Sequence, residues 1–351
     1  MSILGIVWFC LIFVLIAGYF ILDGFDLGAG VLSPFVAKTD KEKAFVRRAI
    51  GPVWDGNEVW LLTAGGALFA AFGPAYATTF SGFYLAIFLV LAGLIVRAVS
   101  IEYAGHDPKW SGLWNALFFV GSLLPALLFG VAVGNVYAGI PMDANGDYIG
   151  VPLVGLVTPF TLLTGLLGLS MFILQGAGWL SLKSPKDAAI HGRARAVRKA
   201  SAIAAIVLFA VVSAYAHFLI HPAMAPELAV LRYAAAVLVL AALIAALVLG
   251  GKECDVKPFV LSSAACALLV VLWAASMFPN LVPAGAGDPL AFFPTAAAGE
   301  NITIATAAGS DTALGWMLGI ACVGVPLVLV YHVVVYRIFR GRIAEAEWEE
   351  Y

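Results

Sequence analysis

Nine long apolar runs divide this chain, near residues 3–36, 50–72, 75–100, 112–138, 152–182, 200–220, 229–250, 257–279 and 312–338. A run of about 20 apolar residues spans a bilayer as a helix, at about 1.5 Å per residue. Lipid offers no partner to a backbone N–H or C=O, so helices or closed barrels are what a spanning chain can form. The composition agrees: 63% of residues are hydrophobic and 11% charged, against roughly 45–50% and about 25% in a soluble domain. The chain therefore reads as an all-α polytopic membrane protein. The first and fifth runs exceed what a bilayer needs and should tilt or protrude. The second is the least apolar, because its first half is polar. The first run lacks a basic leading end, so no cleavable signal is expected. Four cysteines (Cys10, Cys254, Cys266 and Cys322) form no close pair, which excludes a zinc or redox-thiol motif. Cys10, Cys266 and Cys322 lie in apolar runs and are expected to be small core residues.

The basic residues set the orientation. They fall in segments 38–48 and 183–199, around Arg97 and Lys109, at Lys252 and Lys257, and at Arg337, Arg340 and Arg342; of the 19 Lys and Arg, the other side keeps Arg232. By the positive-inside rule the N-terminus lies outside and the C-terminus in the cytoplasm. That requires an odd number of spans, and nine satisfies it. Segments 139–151 and 280–311 are the turn-rich, base-free external loops.

A faint repeat organises the runs. Phe20-Ile21-Leu22-Asp23-Gly24 recurs as Phe172-Ile173-Leu174-Gln175-Gly176, late in the first and fifth spans, which suits four spans plus four spans plus one. The expected divisions are residues 1–140, a first four-helix bundle with buried acids; 141–280, a second bundle; and 281–351, an outer loop, the ninth helix and a cytoplasmic tail. In the second half Asp23 is replaced by Gln175, and Asp55 and Glu58 fall opposite Val207 and Ala210.

Four carboxylates sit inside apolar runs. Asp23 and Asp26 are three apart on the first, and Asp55 and Glu58 three apart on the second, in Gly51-Pro52-Val53-Trp54-Asp55-Gly56-Asn57-Glu58-Val59-Trp60. A three-residue spacing puts two side chains on one helix face. Asp26 lies roughly 16 Å and Asp55 roughly 11 Å from the cytoplasmic ends of their helices, so the acids reach similar depth. A carboxylate at mid-membrane costs about 2.5–3.5 kcal/mol and is tolerated facing protein or water. Four acids cannot all ionise easily in low dielectric, which suits a proton relay; protonated acids serving as hydrogen-bond glue are the alternative. Gly24 and Gly28 form a GxxxG spacing that lets a second helix approach closely. Arg97 fits either a snorkelling interfacial residue or the partner of a buried acid, with Glu102 five residues on. Trp54 and Trp60 flank the acidic stretch and either belong to an interfacial belt or line a pocket. His217 and His221 are spaced for a metal or haem but lack a third ligand nearby, so interfacial roles are expected. His106, His191 and His332 are expected to be solvated.

At Gly24-Phe25-Asp26-Leu27-Gly28, through the 51–60 stretch, and on through Thr63-Ala64-Gly65-Gly66 and Phe80-Ser81-Gly82-Phe83-Tyr84, the chain resembles subunit II of the cytochrome bd quinol oxidases. The match is dense over about residues 15–140 and looser later, at Gln175-Gly176 and Phe278-Pro279-Asn280-Leu281-Val282-Pro283. The resemblance implies two four-helix bundles plus a ninth helix, paired with a homologous haem-binding subunit I. It implies a complex in the bacterial cytoplasmic membrane that oxidises quinol, reduces O2 to water and takes up cytoplasmic protons. Haem b and haem d are then held by subunit I, and none is ligated by this chain. The resemblance assigns a proton path to Asp55, importance to Asp23, Asp26 and Arg97, and admits a structural quinone in subunit II. Small single-helix subunits, quinol and lipids are the further partners; no nucleic acid is expected. Glu58 joins the path by depth and face, while Trp54, Asn57, Arg97 and Glu102 are candidates for structural or ion-pairing roles. Tyr331-His332-Val333-Val334-Val335-Tyr336 lacks a tryptophan often found there in the family. A proton-coupled transporter using Asp55 and Glu58 is the rival reading, but transporters place their sites across both halves, whereas these acids crowd into one. The orientation yields the first prediction. In a cysteine-free version, a cysteine placed in 280–311 should react with an impermeant thiol reagent added outside, and one in 183–199 should not; the reverse pattern refutes the topology.

Overall fold

The computed structural model describes residues 1–220, 225–251 and 254–348, so His221 and Lys252 lie outside the described residues. Helix α1 (Ile3–Val36) packs chiefly against four of the other long helices, α7, α3, α6 and α10, whose ranges follow. The Ser2 side chain caps it by accepting from the Gly5 N–H, satisfying one of the donors that a helix start leaves unpaired. A Thr39/Glu42 capping box then starts α2 (Asp40–Ile50). The helices α3 (Trp54–Ala71), α4 (Gly73–Gly82), α5 (Tyr84–Tyr103) and α6 (Ser111–Ala138) follow. Beyond a loop come α7 (Pro159–Lys183), α8 (Ala189–Tyr215), α9 (Ala229–Gly250) and α10 (Val256–Met277). A two-stranded ladder pairs β1 (Asn280–Val282) with β2 (Ile302–Thr303). A single turn, α11 (Ile304–Ala307), leads to α12 (Asp311–Ile338).

Among the described residues eight helices are long and apolar enough to cross a membrane: α1, α5, α6, α7, α8, α9, α10 and α12. The run expected as the second span forms α3, a helix of 18 residues that is not among these eight, because it opens with Trp54-Asp55-Gly56-Asn57-Glu58. Several expected boundaries move for local reasons. The third run breaks at Phe83, where α4 gives way to α5. The fifth begins at Pro159 rather than 152, because Thr158 caps α7 and proline is favoured in a first turn. The sixth begins at Ala189, eleven residues early, so the basic segment 183–199 is largely helical. Segment 38–48 is likewise mostly α2.

Glycine decides how closely α1 meets α7. A Cβ on Gly28 would stand 1.8 Å from the Phe172 carbonyl oxygen, and one on Gly176 would stand 2.4 Å from Ala29 N. The close approach expected of the Gly24/Gly28 spacing is therefore made by α7, and the two copies of the five-residue repeat meet at this crossing. Gln175 is fully buried there and donates to the Phe20 carbonyl at 3.3 Å. Two expected core residues are not in the core. Cys10 and Cys322 are exposed on outward helix faces, while Cys266 is buried.

The basic segments gather at one end of the helices. Arg193 donates to the Val36 carbonyl and pairs with Glu42, and the chain after α12 folds back over the same end. Ile343 N–H donates to the Lys183 carbonyl, and Trp348 is buried beside Phe45, with ring centroids 4.9 Å apart. Asp255 is the hub. It accepts from Arg198 at 3.1 Å and Arg342 at 2.9 Å, and His191 Nε2 lies 3.7 Å away. His191 is thus buried in an ionic cluster, and His332 is buried too; neither is solvated as expected. Burial alone would raise the Asp255 carboxyl, but hydrogen bonds from Arg342 and Arg198 hold it below the ordinary aspartate value. A carboxyl that is lower in the folded than in the unfolded chain contributes stability above its unfolded value and loses it as pH falls through the folded one. Asp255→Asn should therefore lower the thermal midpoint of the purified protein at pH 7, and the difference from wild type should shrink below about pH 4. A difference independent of pH would exclude the ionic role.

Candidate functional site

Arg97, on α5, is 0% exposed. A guanidinium without water persists when carboxylates meet it, and two do. Its Nη2 donates to Asp23 Oδ1 at 2.7 Å and to Glu58 Oε1 at 2.6 Å. Asp23 comes from α1 and Glu58 from α3, so one cation ties three helices together. Of the two readings open for Arg97, the geometry selects the buried pair. Glu102 is exposed and takes no part.

One turn along α1, Asp26 is also fully buried. Its Oδ2 accepts from Asn57 Nδ2 at 2.7 Å, and the same amide nitrogen lies 3.4 Å from the Leu22 carbonyl. Asn57, fully buried on α3, in turn accepts from the Tyr336 hydroxyl at 3.0 Å. Trp60, one turn further, donates its indole N–H to His332 Nε2 at 3.2 Å. Trp60 is thus tied to α12 rather than to an interfacial belt, and Trp54 packs half-buried against the Phe25–Trp179 cluster. Asp55 lies apart. It is exposed in the first turn of α3, where an acid also suits the positive end of the helix dipole. Asp23, Asp26 and Glu58 are therefore brought together around Arg97, and Asp55 faces outward three residues from Glu58.

Five buried polar atoms around this cluster find no hydrogen-bond partner among the described residues: Tyr19 Oη, Asp23 Oδ2, Asp26 Oδ1, Arg97 Nε and Arg97 Nη1. Buried polar groups are rarely left so. Ordered water, which typically makes about three hydrogen bonds to such groups, is their usual partner. Sequence reasoning missed Tyr19, His332 and Tyr336. The last two were legible as polar residues four apart in an apolar run, which places them on one helix face.

A second feature lies toward the opposite end. An apolar cavity of about 310 Å³ runs among α6, α7, α8, α9 and α10, lined by Phe129, Phe160, Met171 and Phe209, with Tyr137 and Arg232 among its polar residues. Trp273 also lines it, and its buried indole N–H has no protein partner. His217, exposed on the last turn after α8, reaches the cavity wall, while its expected companion His221 lies outside the described residues. Among the described residues no three His, Cys, Asp or Glu gather into a metal-ligand group.

Long apolar helices enclosing a buried ionic cluster define a multi-pass membrane protein. The profile of the family described as cytochrome bd terminal oxidase subunit II matches residues 4–339. The chain is 34% identical over 373 residues to a probable cytochrome oxidase subunit 2 of Haemophilus influenzae, covering 97% of this chain and 95% of the relative. It is 33% identical over 381 residues to cytochrome bd-I ubiquinol oxidase subunit 2 of Escherichia coli, covering 99% and 97%. It is 31% identical over 350 residues to cytochrome bd ubiquinol oxidase subunit 2 of Bacillus subtilis, covering 97% of each. A chain of the bd oxidase from Geobacillus thermodenitrificans shares the fold at a TM-score of 0.71 and 16% identity, covering 96% of this chain and 99% of that one. The chain belongs to the cytochrome bd terminal oxidase subunit II family, and is a subunit of a bd-type terminal oxidase.

The ionic cluster gives a stability prediction. Removing one partner of a buried ion pair costs about 3–5 kcal/mol. Arg97→Gln should therefore lower the thermal midpoint in detergent by several degrees, with Arg97→Lys losing less because it keeps the charge. An unchanged midpoint in Arg97→Gln would mean that the guanidinium does not hold the three helices.

Proposed function

We propose that this chain spans a bacterial cytoplasmic membrane nine times, α3 included, with its N-terminus outside and its basic end in the cytoplasm. In this reading α1, α3, α5 and α6 form the first bundle, α7 to α10 the second, and α12 stands as the ninth helix. The chain pairs with a homologous subunit I that holds haem b and haem d, where quinol is oxidised and O2 reduced. Small single-helix subunits and lipids complete the complex. The task of this chain is to pass protons inward from the cytoplasmic side. Asp55 is the entry group at the protein surface, Glu58 receives from it, and Asp23 and Asp26 carry the path into the bundle. Trp54, Asn57 and Arg97 fix the geometry.

One observation carries this reading. Two buried carboxylates, Asp23 and Asp26, and the partly exposed Glu58 gather around one guanidinium that bonds Asp23 and Glu58, and five polar atoms around them lack partners among the described residues. Full ionisation would leave two negative charges uncompensated where effective dielectric is low, so the cluster balances its charge by holding protons, and water joining the unpaired atoms lets those protons move. The apolar cavity supports the structural quinone. Its aliphatic and aromatic walls suit an isoprenoid tail, and the free Trp273 N–H suits a ring carbonyl.

The test is quinol-driven oxygen consumption by the assembled complex, with haem content checked by absorption. General acid–base groups typically contribute about 10²–10⁴-fold, and water bypass reduces that, so Asp55→Asn and Asp26→Asn should each lower turnover roughly tenfold or more at full haem content. Glu58→Gln should be milder than Asp55→Asn if Asp55 is the entry. Normal turnover in Asp55→Asn and Asp26→Asn would reject the path; loss of turnover together with haem would make these residues structural.

A further inference from the structure

The ninth long helix contributes to the acidic site in a way that neither the family resemblance nor the charge pattern indicated. Helix α12 is barely embedded in this chain: of its 28 residues only Leu314 and His332 are buried. Near the basic end Val335 and Tyr336 pack on the Phe25–Trp179 cluster, and two polar side chains add specific bonds. His332 and Tyr336, four apart, share a face, and their rings stack with centroids 6.2 Å apart. A Cβ on Gly56 would stand 2.8 Å from Tyr331, so α3 and α12 meet closely beside Asn57.

The donors and acceptors fix the orientation of each group. Asn57 Nδ2 faces two acceptors, Asp26 Oδ2 and the Leu22 carbonyl, so the nitrogen must lie on that side. The amide oxygen then faces Tyr336, whose hydroxyl has to donate. On the next turn, the Val328 carbonyl 2.8 Å from His332 Nδ1 only accepts, and the Trp60 indole only donates. The imidazole is therefore neutral, with its proton on Nδ1. Tyr336 itself is held by Phe25 and Trp179, whose ring centroids lie 6.4 and 5.8 Å away.

We propose that Tyr336 is a positioning residue for the proton path: its hydroxyl, delivered by α12 and seated by His332, locks the Asn57 amide so that Asp26 always meets an N–H. Without that hydroxyl the amide oxygen has no partner, and the side chain is free to swing off Asp26 Oδ2. The Asp26 carboxyl then loses the N–H that orients it, and a proton passing through Asp26 meets no fixed partner. The other titratable or charged groups facing this unit are Asp23 and Tyr19 from α1, Glu58 from α3, Arg97 from α5 and Tyr331 from α12; His332 adds no charge.

This inference rests on the proton-path reading, and the experiment separates the two. In the assembled oxidase, Tyr336→Phe should lower turnover by about fivefold at pH 8, the factor that one neutral hydrogen bond carries. The loss should narrow at pH 6, where protons are plentiful, with the KM for quinol and the haem content unchanged. In an Asn57→Ala background Tyr336→Phe should have no further effect. Tyr84→Phe, exposed at the start of α5 and away from this unit, serves as the control and should behave as wild type. A loss equal at all pH values, or one that persists undiminished in Asn57→Ala, would overturn the positioning role. If Tyr336→Phe does not assemble, Asn57→Ala probes the same hydrogen bond from its other end, and normal turnover there at every pH would also overturn it. Normal turnover in Asp26→Asn overturns the path itself; lost turnover there with normal Tyr336→Phe overturns only the inference.

Discussion

A guanidinium buried without water is tolerable only beside negative charge, and Arg97 meets it from two directions. Asp23 on α1 and Glu58 on α3 both bond the same Nη2. Burying any one of the three groups alone would cost far more than one hydrogen bond returns, so α1, α3 and α5 are stable in this arrangement as a set. The polar opening of α3, which keeps it from resembling an ordinary spanning segment, makes sense in the same terms. Its Glu58 and Asn57 are solvated by protein, one by Arg97 and the other by Asp26 and Tyr336.

The α1–α7 crossing explains why the acids can lie so near the middle of the molecule. Glycines on both helices bring the backbones into contact, leaving no lipid-filled gap beside Asp23 and Asp26. The counterpart of Asp23 across the repeat is Gln175, a neutral side chain that donates to a neighbouring backbone carbonyl and requires no cation. At this crossing one helix carries carboxylates and the other a neutral amide.

Much of this was legible in the sequence, for identifiable reasons. Apolar length gave the long helices, and the basic segments do share one end. Asp23, Asp26 and Glu58 were recognisable because a carboxylate in an apolar run demands an explanation. The failures have equally physical causes. Three-residue spacing put Asp55 and Glu58 on one face, but such a pair still diverges around the helix axis. A helix packed on one side buries Glu58 and leaves Asp55 outside. Cys10 and Cys322 looked like core residues because apolarity in a membrane does not distinguish an interior face from an exterior one. His191 and His332 looked solvated because position near a span end says nothing about tertiary partners 60 or more residues away: Asp255 for one, Trp60 for the other.

The segment after α10 is also the last of these elements to be synthesised. Helix α12 brings Tyr336 to Asn57, and the residues beyond it bring Arg342 to Asp255 and Trp348 to Phe45. Until that segment emerges from the ribosome, Asn57 and Asp255 each lack a hydrogen-bonding partner, although the helices carrying them were made long before. Chains interrupted before α12 would thus carry an acidic site without its Tyr336 donor and an ionic hub in which Asp255 keeps Arg198 but lacks Arg342. The unsatisfied amide oxygen of Asn57 and the half-filled shell of Asp255 are the physical difference between an incomplete chain and a finished one.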